Sequence, residues 1–119
     1  MKYLLDTNPI IIALKDGLKI KPGNYIISFV TEIELLSYHN LRDGEESVIL
    51  DLLQNFEIID INDEIKQKAI EIRRKFNLKL PDSIVVATAI VKNAILITED
   101  KQLHKIRDLD VLNLDNIVS

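Results

Sequence analysis

Apolar residues along the chain form short runs that alternate with longer segments of helical spacing. The short runs are rich in Ile, Leu and Val, which is typical of strands buried on both faces of a sheet. They cover residues 3–5, 25–29, 56–61, 94–98 and 111–114. We therefore predict five buried strands.

Three longer segments have the pattern of helices. Two of them, residues 49–56 and 65–76, repeat apolar residues every three or four positions. In the segment 65–76, Lys and Arg occupy the other face. Residues 84–91 are almost wholly apolar, which predicts a helix buried on most sides. Alternating strands and helices predict an α/β fold with a central parallel sheet and helices on both faces. The apolar positions of the two amphipathic segments are Ile49, Leu52, Leu53 and Phe56, and Ile65, Ala69, Ile72 and Phe76.

The composition is that of one domain with an aliphatic core. The 119 residues are 47% hydrophobic but only 5% aromatic, and this length is close to the common domain size. The absence of cysteine excludes disulfides, thiolate metal sites and cysteine nucleophiles. No apolar run is long enough to span a membrane, and no signal peptide opens the chain. We therefore expect a single domain, residues 1–119, in the cytoplasm and without a membrane contact.

Four carboxylates lie where predicted strands lead into helices: Asp6, Glu34, Asp82 and Asp100. In parallel sheets, ligands bind at the carboxyl ends of the strands, and Asp6 and Asp100 fall at such ends. Clustered carboxylates repel one another unless a divalent cation neutralises them. Because these acids account for the whole net charge of −4, the rest of the chain is neutral. This pattern predicts an acidic cation pocket in a neutral body.

Each acid also has a simpler interpretation as part of a helix cap, and for any single acid the cap is favoured. Hydroxyl caps are already available at Thr7, Thr31 and Thr98, however, so acids are surplus to capping at three of the four sites. The capping interpretation uses Asn8 before Pro9, a Thr31–Glu34 capping box, Asp82 in a first turn, and Thr98 ahead of Asp100.

The cation interpretation explains the set together. Mg²⁺ or Mn²⁺ takes carboxylate oxygens from several segments and completes its shell with water. Such an ion binds a phosphate and lowers the pKa of a bound water, so that no basic nucleophile is needed. That suits a chain with two histidines and no cysteine. The acids therefore predict a metal-dependent nuclease.

The segments around the acids resemble the PIN-domain nucleases, and more closely the small VapC-type toxins of toxin–antitoxin pairs. The matching motifs are DTN, T-x-x-E-L, P-D-S-I-V-V-A-T-A and I-T-E-D. The resemblance implies a three-layer α/β/α fold, a Mg²⁺- or Mn²⁺-dependent endoribonuclease acting on RNA, a cognate antitoxin protein and a homodimer. It implies that Asp6, Glu34, Asp82 and Asp100 are catalytic metal ligands, with Asp100 at a second or transient ion. Asn8 and Thr98 would be polar groups that support the ligands.

Three positions depart from the family pattern and bear on substrate preference. Many relatives carry a basic residue at the place of Glu99 and an aromatic one at the place of Leu103. Glu99 would weaken the approach of RNA or supply another ligand. Ser83 replaces a small apolar residue, which we expect to be harmless.

Several alternatives stay open or are disfavoured. A phosphate-transfer receiver domain needs adjacent acids after the first strand and a late lysine, and a haloacid-dehalogenase-type phosphatase needs an acid where this chain has Asn8. A non-toxin PIN nuclease of RNA processing, or a catalytically silent RNA- or protein-binding PIN-like module, remains open. The basic segment 63–79 could contact RNA, although a solvated helix face is favoured. His39 and His104 could act as bases or ligands, but His39 ends a helix, where a cation suits the dipole.

Overall fold

The computed structural model describes residues 1–38 and 44–119. Within these ranges the strands are β1 (Lys2–Leu5), β2 (Asn24–Ser28), β3 (Glu57–Ile59), β4 (Ile95–Ile97) and β5 (Val111–Leu112). The helices are α1 (Thr7–Asp16), α2 (Phe29–Leu36), α3 (Glu45–Leu53), α4 (Asp63–Phe76) and α5 (Leu80–Val91). Two 3₁₀ turns, Leu103–Lys105 and Leu114–Asn116, flank β5.

The strands form one parallel sheet in the order β3-β2-β1-β4-β5. The chain builds outward from β1 through β2 to β3, and then returns to the other side of β1 with β4 and β5. The switch in direction therefore lies between β1 and β4, where ligands bind in folds of this kind. The predicted parallel sheet is confirmed.

Successive side chains of the central strands point to opposite faces of the sheet, as the strand period requires. Leu4, Ile26 and Leu96 pack with α4 and α5 on one face. On the other face, Leu5, Ile27 and Ile97 pack with α1, α2 and α3. Because both faces are covered, the sheet is the middle of three layers, which confirms the predicted α/β/α architecture.

The boundaries differ from the predicted ones where strand and helix meet. Phe29 begins α2 and does not end β2, because the Ser28 hydroxyl caps the helix directly after the strand. Phe56 lies in the turn between α3 and β3, outside the helix to which its spacing assigned it. The α4 pattern is confirmed, with Ile65 and Ile72 buried. Within the described residues, no helix has both the length and the apolar character needed to cross a membrane.

Candidate active site

The centre of the site lies at the switch point, where β1 and β4 end side by side. The Asp6 backbone N–H donates to the Ile97 carbonyl at 3.0 Å, so the sheet ladder continues to Asp6. One residue past β4, the Thr98 hydroxyl donates to Asp6 Oδ2 at 2.9 Å. Thr98 is completely buried. The sheet itself therefore brings together two residues that are 92 positions apart.

Asp6 is also the N-cap of α1, because its Oδ1 accepts the Thr7 N–H at 2.9 Å. The predicted cap at Asn8 is wrong: the helix already begins at Thr7, because the chain turns where the β1 ladder ends. Burial raises the pKa of Asp6 above its ordinary value, and the charges of Glu34 and Asp100 add to the increase. The hydrogen bonds from Thr98 and Thr7 act in the opposite direction.

Glu34 reaches the site from α2 through a hydroxyl contact. The Thr7 hydroxyl donates to Glu34 Oε1 at 2.6 Å, and the Thr31 hydroxyl oxygen lies 3.3 Å from that of Thr7. The predicted Thr31–Glu34 capping box is wrong, because α2 begins at Phe29 and is capped by the Ser28 hydroxyl, which accepts the Val30 N–H at 3.1 Å. Glu34 is thus held by another element of the fold and has no role in the cap.

Asp82 lies in the first turn of α5, as predicted, but its environment is not that of an ordinary helix start. Burial raises its pKa, the charges of Asp6, Asp100 and Glu34 raise it further, and Lys79 lowers it. The side chain makes no hydrogen bond within the described residues. Because Asp82 is influenced by all three other acids, the four carboxylates belong to one electrostatic cluster, which we call the acid quartet.

Asp100 completes the quartet from the loop after β4. Its backbone N–H donates to the Thr98 hydroxyl at 3.1 Å, and its Oδ1 accepts the Gln102 N–H at 2.9 Å. Thr98 does accept a nearby backbone N–H, but only a 3₁₀ turn follows and no α-helix begins there. The Thr98 hydroxyl therefore joins Asp6 to the Asp100 segment.

Other candidate residues lie around the quartet in different roles. Asn8 is exposed in the first turn of α1, and no hydrogen bond of the described residues connects its side chain to an acid. Glu99 Oε1 accepts the Leu114 N–H at 2.8 Å, so that oxygen serves the loop before the last 3₁₀ turn. His104 Nε2 lies 3.0 Å from the Thr98 carbonyl oxygen, to which it donates. His39 lies outside the described residues.

Sequence reasoning treated Thr7 and Thr31 only as spare caps and missed their function at the site. Both are buried, and Thr7 contacts Asp6 through its N–H and Glu34 through its hydroxyl. The position of Thr7 directly after Asp6, and the three-residue spacing from Thr31 to Glu34, are the signals that could have revealed them.

The donor set of the quartet suits a hard cation. In residues 1–38 and 44–119, no three His, Cys, Asp or Glu side chains are arranged to hold one metal ion between them as they stand. Mg²⁺, however, keeps several waters and takes only one or two carboxylates directly. Carboxylates supported by hydroxyls are the oxygen ligands such an ion prefers, so the residues present fit an ion bound largely through water.

Within the described residues, no salt bridge neutralises the quartet. The salt bridges of the described residues join Lys66 to Asp63, Lys68 to Glu71, and Lys75 to Asp108, and none involves a member of the quartet. Asp6, Asp82 and Asp100 are half-buried, whereas Glu34 is exposed, and half-buried carboxylates without a cationic partner are costly. The arrangement is therefore of the kind found at sites that bind an external cation.

Comparison with known proteins agrees with this geometry. Residues 3–109 match the family model of the PIN domain. A toxin–antitoxin complex from Klebsiella pneumoniae contains a chain 30% identical to this one, with a TM-score of 0.76 over 94% of this chain and 97% of that chain. VapBC-1 from nontypeable Haemophilus influenzae is 24% identical, with a TM-score of 0.81 over 97% and 99%. VapBC2 from Rickettsia felis, bound to a DNA fragment from its promoter, is 23% identical, with a TM-score of 0.79 over 95% and 98%.

Among curated proteins, no sequence matches the chain significantly. The family match nevertheless includes every member of the acid quartet and nearly the whole chain. The resemblance noted in the four motifs is thereby confirmed. The chain belongs to the PIN-domain family, which is a family of nucleases.

Proposed function

We propose that this protein is an endoribonuclease that hydrolyses RNA phosphodiester bonds with the help of Mg²⁺ or Mn²⁺. The observation that carries the proposal is the acid quartet. Four carboxylates share one electrostatic environment at the switch point of the sheet, and no salt bridge within the described residues compensates them. A neutral oxygen such as that of Asn or Ser would cap a helix as well as Asp6 does, whereas a hard cation requires carboxylates.

Asp6, Glu34 and Asp82 would hold the ion, with Asp100 at a second or transient one. When bound, the ion would polarise the scissile phosphate and lower the pKa of a water molecule. Thr98 and Thr7 each occupy one lone pair of the carboxylates they contact, at 2.9 and 2.6 Å. Because each carboxylate oxygen has two acceptor positions, both acids keep free positions toward the site. The hydroxyls therefore orient the carboxylates without saturating them.

Metal-dependent cleavage of RNA tests this proposal directly. The purified protein should cut single-stranded or loop RNA with Mg²⁺ or Mn²⁺, and EDTA should abolish the cleavage. Asp6→Asn retains a helix cap but removes the charge, and should lower the rate by at least about 10²-fold, as the loss of a transition-state charge contact does. Activity that resists both EDTA and Asp6→Asn would disprove the assignment.

We further propose that the protein acts as the toxin of a toxin–antitoxin pair, as its relatives' complexes suggest. An unrestrained ribonuclease in the cytoplasm would harm its host, so a tight protein partner is needed. A cognate antitoxin would place an Arg against the acid quartet, because a guanidinium pairs with carboxylates through two hydrogen bonds. A cavity of about 60 Å³ lined by Ile11, Leu14, Leu35 and Ile49, among others, offers an apolar contact for the same partner.

Expression in cells separates this role from a housekeeping one. The chain expressed alone should arrest growth, and co-expression with the protein of the adjacent reading frame should restore it. If the purified enzyme is active but solo expression is harmless, a nuclease of RNA processing becomes the better assignment.

A homodimer is also proposed. Four large apolar side chains on α2 and α3, Ile33, Leu36, Val48 and Leu50, are exposed. A second copy of the chain would remove such surface from water. Light scattering coupled to gel filtration should give twice the mass of 13.6 kDa, and the monomer mass would contradict this part of the proposal.

A further inference from the structure

The link between α4 and α5 carries positive charge beside the acid quartet. Helix α4 ends at Phe76, Asn77 caps it in the left-handed conformation, and α5 begins at Leu80. The two helices pack together through the core on one face of the sheet. Because only three residues join them, the last turn of α4 and the first turn of α5 lie at the same end of the helix pair. Asp82 stands in that first turn.

In the stretch of chain that contains this link, all charged side chains are positive. From residue 72 to residue 81 the chain has four cationic side chains and no acid, whereas the preceding part of α4 mixes both signs. The four are Arg73, Arg74, Lys75 and Lys79.

Three of these cations have a role within the fold. Arg73, Arg74 and Lys75 fill the last turn of α4, where cations complement the helix dipole. Arg73 Nε also donates to the Leu78 carbonyl at 3.3 Å, and Lys75 Nζ lies 3.9 Å from Asp108 Oδ2. Their presence needs no ligand.

Lys79 is different. It is the N-cap residue of α5, and its side chain makes no capping hydrogen bond. A cation at a helix N-terminus opposes the dipole, so the helix gains no stability from it. Lys79 is exposed and has no ion-pair partner within 4.0 Å in the described residues.

Lys79 is the N-cap of α5 and Asp82 is the third residue of that helix, so both lie at the same end of α5. Lys79 is close enough to lower the pKa of Asp82, yet it does not form a salt bridge with it. Lys79 thus lies at the helix end that carries Asp82, exposed and without an ion-pair partner among the described residues. A lysine ammonium is a compact point charge with three donors that binds phosphate.

We propose that Lys79 binds a phosphate of a single-stranded RNA next to the one held at the acid quartet. The inference rests on the proposed nuclease function and adds the residue that positions the substrate backbone. The acids repel an RNA chain, and Lys79 supplies attraction at the helix end that carries Asp82 without forming a salt bridge to it. Its contact is to the backbone, so it strengthens binding without selecting a base.

Salt dependence of binding identifies such a contact. Each phosphate neutralised on a single strand contributes about −0.7 to the slope of log K against log[salt]. The probe is a fluorescein-labelled single-stranded oligouridine RNA with Mg²⁺, bound to proteins that carry Asp6→Asn so that the strand stays intact. Adding Lys79→Gln should make the slope shallower by about 0.7, and Lys79→Arg should restore it. The parent protein with Lys79 should bind the RNA more tightly than the Lys79→Gln protein. Lowering the salt from about 200 mM to about 50 mM should increase this ratio of affinities by about 2.6-fold.

Arg74→Gln is the matched control. It removes one positive charge from the same end of α4, but Arg74 already has a role at the helix dipole. Its slope should equal that of the parent protein. In the otherwise native protein, Lys79→Gln should raise KM for RNA several-fold with kcat preserved.

The outcomes separate the two proposals. If Lys79→Gln and Arg74→Gln have the slope of their parent, the phosphate contact is refuted even when the native enzyme cleaves RNA. If the native protein binds RNA with the Lys79-dependent slope but does not cleave it, the nuclease function fails and the contact stands. A protein that neither binds nor cleaves RNA refutes both.

Discussion

Helices α4 and α5 each carry an aspartate in the first turn, but the two aspartates have opposite environments. Asp63 of α4 is exposed and lies 3.9 Å from the ammonium of Lys66. Asp82 of α5 is half-buried and has no salt bridge in the described part of the chain, and the charges of three more acids raise its pKa. An aspartate in the first turn of a helix thus complements the helix dipole in α4, whereas in α5 it is part of the acid quartet. The difference comes from neighbours that are distant in sequence.

Catalysis should show the largest difference between the two aspartates. Asp82→Asn removes a ligand of the proposed ion, so we expect the rate of RNA cleavage with Mn²⁺ to fall by at least about 10²-fold. Asp63→Asn makes the same chemical change at the start of the other helix and should leave the rate within about twofold of the native value. Initial rates on one RNA substrate measure both. Equal losses in the two variants would mean that Asp82 serves only its helix.

The stabilisation of the folded protein by Mn²⁺ should also differ between the Asp63→Asn and Asp82→Asn variants. An ion that binds the folded protein at a hundredfold excess over its dissociation constant adds about 2.7 kcal/mol to the free energy of unfolding. We expect Mn²⁺ to stabilise the native protein and Asp63→Asn by this amount, and Asp82→Asn by much less. Thermal unfolding with EDTA and with Mn²⁺ gives the values. If millimolar Mn²⁺ leaves the melting temperature of the native protein unchanged, the cation site is contradicted.

A second comparison is between two buried threonines, Thr98 at the acid quartet and Thr88 outside it. Thr98→Val would leave Asp6 Oδ2 and the Asp100 N–H without their shared partner, at a cost of about 2 kcal/mol, typical for hydrogen bonds to charged groups. Thr88 is equally buried, but its hydroxyl donates only to the Ile84 carbonyl of its own helix at 2.7 Å. Thr88→Val should cost under about 1 kcal/mol. Urea unfolding tests this, and equal costs would show that Thr98 does not support Asp6.

The pH dependence of stability should give the smallest effect. Burial and like charges raise the pKa values of Asp6 and Asp82 in the folded protein, so the folded state binds these protons more tightly than the unfolded state does. Without metal, the free energy of unfolding contributed by these groups falls as pH rises from about 4 through the raised values. Asp82→Asn should lessen this fall, whereas Asp63→Asn should not. Denaturant unfolding in EDTA at several pH values tests the sign, and the same profile in both variants would contradict the repulsion between the acids.

The spacing of apolar residues along the chain was sufficient to predict the α/β architecture, because the core is formed by strands and helices that repeat apolar positions regularly. Short runs of Ile, Leu and Val predict buried strands, and the spacing from Ile65 to Ile72 predicts a helix with one buried face. The five strands and the helix lie where they were predicted, and the central strands β1, β2 and β4 are largely buried. The prediction of full burial is wrong for the edge strands, because β3 exposes Glu57 and Ile58 and β5 is half-buried. Burial of apolar surface is the dominant favourable term in folding, and an edge strand has less of it. The alternation along the chain also required the parallel sheet, and with it the meeting of Asp6 and Thr98 at one edge.

Helix starts and the contacts of the acids were decided by tertiary structure. Asp6, Thr7 and Asn8 are all suitable caps by propensity, and Asp6 is chosen because the hydrogen bond of its N–H to Ile97 ends the β1 ladder there. Thr31 and Glu34 fit a capping box, but Ser28 starts the helix three residues earlier. The sequence by itself determined which residues are acidic, apolar or able to cap. Only the folded chain decided which acid lies beside which, because charge repulsion and hydrogen bonding depend on distances that sequence separation does not set.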